Sequence, residues 1–370
     1  MTPRLTATQA RRLRLRSQMV GGSDLTPTEV VDRAVALQGQ NLGAVLRAIA
    51  IRSGPGTTVA DVRAAFDRGE LVRSWPMRGT LFATTPTHLA TLLHFTGPRI
   101  HRATTRRRTA LGLEDATVER AWEVLGEALS ERPLARAEAL ELWESAGIAT
   151  GGGPGYHLLM HLAVAGRIHW GPFDPSGTAQ LLTLSPGHPA AAPSPQGQDP
   201  EDALVQVVRG YVLARGPVTE ADLAWWTKLP RTTLRQALAR VEGLEEVLVE
   251  GVPALVVAPE QQGDGPDPAA PGPTGLRPDG VRLLPAFDEW ILGYADRSLV
   301  ASPDMLRALM PGSNGVFRPT VLVDGRVVGT WGMRPGRAGR PATAEVELVE
   351  EVPARTRSAV HRAAAAWSLD

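Results

Sequence analysis

Three times along this chain, three segments with apolar residues at helical spacing give way to two short runs of strand character. That recurrence limits the possible folds more than any other feature. The first unit opens at Thr26-Pro27, a cap and a first-turn proline, ahead of Val30, Val31, Ala34, Val35 and Leu37. Leu42, Val45, Leu46 and Ile49 continue the pattern, and Val59, Val62, Ala65 and Phe66 close it before Gly69. Two strand-like runs, 71–75 and 80–84, flank Pro76-Met77-Arg78-Gly79 as a hairpin. The second unit places helices at 117–130, 135–146 and 156–165 and strands at 167–170 and 180–184. The third has helices at 203–214, 219–227 and 232–241 and strands at 246–251 and 254–257, with Arg231 and Arg235 opening its last helix. Three helices and a two-stranded wing describe a winged helix. A basic helix from Thr8 to about Val20 precedes them, with Ala10, Leu13 and Met19 inward and its arginines outward.

Pro- and Gly-rich linkers are expected at 185–200 and 259–280. Beyond the second, the texture changes to short strands, with Asp324-Gly325 a strong hairpin signal and a closing helix from Ala354 to Trp367. The expected fold class is α+β, with three tandem winged-helix domains at 1–112, 113–185 and 201–260. A small sheet-rich C-terminal domain occupies 278–370. A length of 370 residues fits several cores, and 43% hydrophobic residues suffice to fill them. The absence of cysteine removes disulfides, thiolate nucleophiles and cysteine zinc sites. No apolar stretch nears the roughly 20 residues that span a bilayer. The basic N-terminus lacks an apolar signal core, so a soluble cytoplasmic protein is expected.

Net charge is zero, yet unevenly distributed. Residues 1–110 hold 17 Arg against 6 Asp and Glu, a net of +11, which the other 260 residues offset. A basic lobe on a neutral protein points to a polyanion partner. Lys228 is the sole lysine.

Within the basic lobe, Leu37-Gln38-Gly39-Gln40-Asn41 sets two amides one residue apart at the expected end of a helix. Side chains two apart on a helix diverge. Gln38 and Gln40 can converge there only if the backbone breaks near Gly39, which glycine permits. A solvated helix end is the alternative.

Four ordered stretches carry a family resemblance. They are Leu37-Gln38-Gly39-Gln40, Ser74-Trp75-Pro76-Met77-Arg78-Gly79-Thr80-Leu81, Pro285-Ala286-Phe287-Asp288-Glu289-Trp290-Ile291-Leu292-Gly293-Tyr294-Ala295-Asp296-Arg297-Ser298, and Gly315-Val316-Phe317-Arg318-Pro319-Thr320 leading to Gly329-Thr330-Trp331. Over roughly residues 5 to 365 the chain resembles the AlkZ/YcaQ family of tandem winged-helix DNA glycosylases. The resemblance implies excision of bulky or crosslinking N7-alkylpurines. In some members it also implies self-resistance in producers of DNA-alkylating antibiotics. The family's Gln-aliphatic-Gln catalytic motif maps onto Gln38 and Gln40. Gly39 departs from the aliphatic centre, and Phe82 stands where a histidine is expected.

The chemistry suits amides. An amide takes up no proton near neutral pH, but it offers a carbonyl acceptor and two N–H donors to a water molecule. An N7-alkylguanine already carries positive charge and leaves without a general acid, so positioned water and support for an oxocarbenium-like state suffice. Little activity on neutral lesions follows. A lone lysine in the third unit argues against a Schiff-base lyase step and for monofunctional hydrolysis. No cofactor or metal is implied, and a monomer on double-stranded DNA with alkylated purines needs no protein partner.

Arg73, Trp75 and Arg78 in the first wing are expected to meet DNA, the arginines through phosphate or a groove and Trp75 by stacking. Arg106 and Arg107, with Arg108, would track phosphate or form a solvated helix face, and Arg318 would anchor DNA from the C-terminal domain. His157 and His161 have metal-ligand spacing but no following glutamate or cysteine, and read as core or surface histidines. Asp288, Glu289 and Asp296 are candidates for acid/base work or for structural pairing, Asp296 with Arg297 equally as an ion pair fixing a turn. Gly151 to Gly155 reads as a loop. A non-catalytic regulator and a lesion-binding protein are the competing functions; no extended heptad repeat supports the regulator.

Overall fold

Helix starts follow the capping residues. Thr6 pairs with Gln9, Thr26 with Glu29, Thr58 with Asp61 and Thr219 with Asp222 in capping boxes, each worth about 1 kcal/mol. The computed structural model describes residues 2–185, 199–258, 280–313, 315–335 and 342–367. Apart from their ends, both expected linkers lie outside the described residues.

The chain begins with β1 (Arg4–Leu5), α1 (Ala7–Ser17), α2 (Pro27–Ala34), β2 (Ala36–Gln38), α3 (Leu42–Arg52), α4 (Val59–Asp67), β3 (Val72–Met77) and β4 (Thr80–Thr84). A long helix, α5 (Pro86–Ala110), follows, unforeseen in the sequence reading. Next come α6 (Asp115–Glu131), α7 (Arg136–Ser145), α8 (Pro154–Val164), β5 (Ile168–Phe173) and β6 (Gln180–Leu184). The third unit holds α9 (Pro200–Arg215), α10 (Glu220–Thr227), α11 (Arg231–Leu238), β7 (Leu244–Val249) and β8 (Val252–Val257). The C-terminal part has β9 (Val281–Leu284), α12 (Glu289–Leu292), α13 (Pro303–Leu309), β10 (Thr320–Val323), β11 (Arg326–Arg334), β12 (Thr343–Leu348) and α14 (Ala354–Ala365). The fold is α+β, and three helices followed by a hairpin occur three times in order. Among the described residues no helix is long and apolar enough to cross a membrane.

The units share sheets and cores across the boundaries expected from sequence. One five-stranded sheet has the order β2-β4-β3-β5-β6, joining the first and second hairpins where Arg73 sits opposite Trp170. β1 runs parallel to β7 of the third unit. The C-terminal sheet has the order β12-β11-β10-β9, and Asp324 and Gly325, both at positive φ, turn β10 into β11. Val35, Ala36, Met77 and Phe82 of the first unit share a core with Leu204, Val208, Tyr211 and Trp226 of the third, and with Tyr294.

α1 corrects one expectation. Its arginines do not all face outward: Arg14 is buried, 3.7 Å from the Tyr294 ring centroid, and its Nε donates to Pro217 O at 3.0 Å. Leu13 is only half-buried, while Leu15 is in the core. The helix thus ties the third unit to the C-terminal part.

Candidate active site

The glutamine motif lies on a strand, not at a helix end. α2 stops at Ala34 because Val35 takes φ 65, a left-handed value that a β-branched residue adopts only under compulsion. Arg215 supplies it: Nη1 donates to Ala34 O at 2.9 Å and Nη2 to Ala36 O at 2.8 Å, so both neighbours of Val35 are clamped. Thr84 Oγ1 donates to Val35 O at 2.6 Å. Past this break the chain is extended, and Ala36, Leu37 and Gln38 pair with Thr84, Ala83 and Phe82 of β4.

The helix breaks three residues before Gln38, and the strand ends at Gln38, so Gln40 stands in the bend that follows Gly39. Both amides reach the start of β4. The Gln38 amide lies 3.4 Å from Thr80 Oγ1, and Gln40 Oε1 accepts from Leu81 N at 3.2 Å. Gln38 is buried at 6% exposure, whereas Gln40 is exposed. Asn41 ends the segment by capping α3, accepting from Ala44 N at 2.9 Å.

Gly39 adds no freedom here. Its N–H donates to Leu81 O at 2.7 Å and its carbonyl accepts from Arg73 Nε at 2.6 Å. A Cβ at this position would stand 3.0 Å from Ala83 N and 3.1 Å from the Phe82 carbonyl carbon. Glycine at the motif's centre reflects close approach to β4, and an aliphatic residue would require the strands to part.

Arg73 is held beneath the motif rather than offered to solvent. Besides Gly39 O it reaches Gln40 O at 3.5 Å and Gln180 Oε1 at 3.4 Å. Burial lowers its pKa to about 10, still high enough for full charge at neutral pH. Trp75, expected to stack on DNA, is 2% exposed and packs in the second unit's core, edge-on to Tyr156. Arg78 is half-buried, with Nη1 donating to Leu292 O at 3.0 Å. Arg106 and Arg107 are exposed near the end of α5, where positive charge also suits the helix dipole. Arg318 pairs with Glu347 at 2.9 Å. Phe82 is fully buried against Trp226, so no titratable ring stands beside Gln38.

The C-terminal carboxylates hold the motif's frame. Glu289 Oε1 accepts from the backbone N–H of Gln38 at 3.1 Å. Its Oε2 accepts from Arg215 Nε at 3.0 Å, Arg215 Nη2 at 2.9 Å and Trp226 Nε1 at 3.2 Å. Asp288 forms a bidentate pair with Arg52, at 2.8 and 2.9 Å, and caps α12 through Trp290 N. Arg52 Nη2 also reaches Gln18, which bonds the Tyr294 hydroxyl. Side chains in both pairs are at most 2% exposed. Removing one partner of such a pair costs about 3–5 kcal/mol. With their oxygens already accepting hydrogen bonds, Asp288 and Glu289 are positioned as structural acids. Asp296 accepts from Ser298 N and Oγ, while Arg297 donates to Ile291 O, so the expected Asp296–Arg297 ion pair is not formed.

The other candidates lie apart. His161 Nδ1 faces His101 Nδ1 at 3.1 Å, and His157 packs against Tyr156. Lys228 caps α10 at φ 59, exposed above Trp225. A cleft of about 540 Å³ between α1, β7 and α13 includes Arg11, Arg14 and Arg326 but neither glutamine. The buried Glu289–Gln38 contact was invisible to sequence reasoning: its only signal was that both residues fell in motifs of one family.

The chain is thus an α+β protein of repeated three-helix-and-hairpin units, with the Gln38 and Gln40 amides beside a hairpin that carries Arg73 and Arg78. The family model described as DNA glycosylase AlkZ-like matches residues 31–368, and the chain belongs to that family. The chain is 28% identical over 314 residues to the interstrand DNA cross-link repair glycosylase of Streptomyces sahachiroi, covering 82% of this chain and 81% of that protein. The solved structure of the Streptomyces sahachiroi DNA glycosylase AlkZ superposes with a TM-score of 0.74 at 23% identity, over 98% of this chain and 97% of that one. In general terms, then, this is a DNA glycosylase, a hydrolase.

Proposed function

We propose that this chain is a monofunctional glycosylase that hydrolyses the N-glycosidic bond of cationic N7-alkylpurines in double-stranded DNA. In this reading its three helix-and-hairpin units act as tandem winged helices. The observation that carries the proposal is that the amides of Gln38 and Gln40 both reach the start of β4, on a segment whose backbone is fixed by Leu81, Arg73 and Glu289. Nearby carboxylates are committed elsewhere, which leaves amides as the groups facing the reaction.

The alkylated purine departs with the electrons of the N9–C1′ bond and becomes neutral. A water oxygen, oriented by the two amides, bonds to C1′, and its proton passes to solvent. The amide carbonyls face the positive charge that develops on the sugar. Such a leaving group needs neither an acid nor a metal. Lys228, the sole lysine, caps α10 in the third unit rather than lying in the glutamine segment, which favours hydrolysis without strand cleavage. By analogy with the relative's crosslink repair, the substrates include interstrand crosslinks formed through N7, and the enzyme acts as a monomer.

The test is single-turnover excision from a duplex carrying one N7-alkylguanine, with abasic sites revealed by alkali and a lane without alkali to report lyase activity. Gln38→Ala and Gln40→Ala should each lower the rate about 100-fold while retaining duplex affinity. Wild type that binds but releases no base would leave a lesion-binding protein instead.

A further inference from the structure

Three cations converge on the indole of Trp225 without an ion-paired carboxylate. Arg78, from the turn between β3 and β4, stands 4.3 Å from a ring centroid of that indole. Arg297 of the C-terminal part stands at 5.3 Å and Lys228 at 5.6 Å. Arg297 is also 5.4 Å from the Phe317 ring, which meets Phe287 edge-on at 6.4 Å. At the other end of this row Arg78 lies 5.5 Å from Phe82, the strand partner of Gln38. The row thus begins beside the glutamine motif and draws on the first unit, the third unit and the C-terminal part.

Each guanidinium donates one N–H to the backbone, Arg78 to Leu292 O and Arg297 to Ile291 O. Among the described residues none of the three cations is in an ion pair. Glu289 is the carboxylate nearest in effect to Arg78, but it is bonded to Arg215, Trp226 and Gln38. Asp296 is turned to Ser298. Burial lowers the pKa of both guanidiniums, and for Arg78 the neighbouring positive charges of Arg297 and Arg215 lower it further. Aromatic faces fix the guanidinium planes while leaving their N–H edges free, a preorganisation suited to phosphate oxygens.

We propose that Arg78, Lys228 and Arg297 form a phosphodiester clamp that holds the DNA strand where it leaves the glutamine motif. The clamp rests on the DNA-glycosylase reading for its partner and adds the residues that grip the backbone. Alternation of cations and rings along a row, rather than a single pocket, favours a polymer over a free anion. Arg297 and Lys228 lie far in sequence from the basic lobe, so the clamp brings charge from the acidic part of the chain to the same face.

Affinity for an undamaged duplex, titrated against salt, tests this directly. Lys228→Asn keeps a residue that tolerates left-handed backbone, and Arg297→Met keeps an apolar stem against the rings. Arg132→Ala, at an exposed pair on the second unit, serves as the control. Each clamp variant should reduce the slope of log K against log salt by about 0.9, and the double variant by about 1.8. Affinity at about 0.1 M salt should fall roughly five- to tenfold per residue, uniformly across sequences. Wild-type slope in a folded Lys228→Asn protein, with wild-type binding intact, would overturn the clamp alone. Since Lys228 is exposed, that variant decides the matter even if Arg297→Met fails to fold. A wild-type protein without duplex affinity would overturn the clamp together with the functional reading beneath it.

Discussion

Arg73 shows how a side chain could steady the proposed catalytic amides without touching substrate. Its guanidinium ties the carbonyls of Gly39 and Gln40 to β3, and losing it leaves acceptors without donors, at about 1–3 kcal/mol. Arg73→Gln should slow single-turnover excision about 10- to 100-fold through misplaced amides, with the salt slope of duplex binding unchanged. A slope reduced by about one would instead make Arg73 a phosphate contact. The sequence marks Arg73 as important through its place in a basic hairpin, but its partners are main-chain carbonyls, which no residue pattern displays. Gly39 was similarly half-legible. The residue type announces backbone latitude, while the structure uses the missing side chain for closeness to Ala83 and Phe82.

At the level of elements, local signals located helix starts better than helix ends. Thr26, Pro27 and Glu29 open α2 where expected, yet its end depends on Val35, a residue without any stop character. The strand that follows is three residues long and exists because β4 lies alongside it, so its pattern alone could not separate it from the last turn of a helix. β5 carries a pH-sensitive counterpart. His169, 5% exposed beside Ser185, has its pKa pushed by burial from the ordinary 6.5 down to about 4. The unfolded chain therefore binds the extra proton first, and stability falls as pH drops from about 6.5 towards 4. Between pH 7 and 5 this histidine should cost about 2 kcal/mol, and urea melts of His169→Gln should lack that component. An equal loss in wild type and variant would remove His169 as its source.

For the whole molecule, the shared sheets and buried pairs bear on how the chain unfolds. Arg215 on α9 holds the backbone around Val35, Glu289 on α12 holds Gln38, and Arg52 on α3 pairs with Asp288. Melting followed by tryptophan fluorescence should coincide with melting followed by far-UV circular dichroism, because tryptophans in every unit report on one cooperative body. Separate transitions would show that the units unfold independently. Apart from α5, the order of helices and hairpins was readable from spacing, since each element is local. The pairs that cross between units join residues from 74 to 251 positions apart, and only the folded chain brings them together. That separation carries a consequence for synthesis. A ribosome delivers Gln38 and Gln40 early and Asp288 and Glu289 some 250 residues later, so a nascent chain has its amides long before it has the carboxylates that brace them. Translation halted before Pro285 would release a basic lobe whose glutamine motif lacks its buried carboxylate partners. Synthesis of the segment carrying Asp288 and Glu289 is thus a timing step: the braced motif can form only after that segment has left the ribosome.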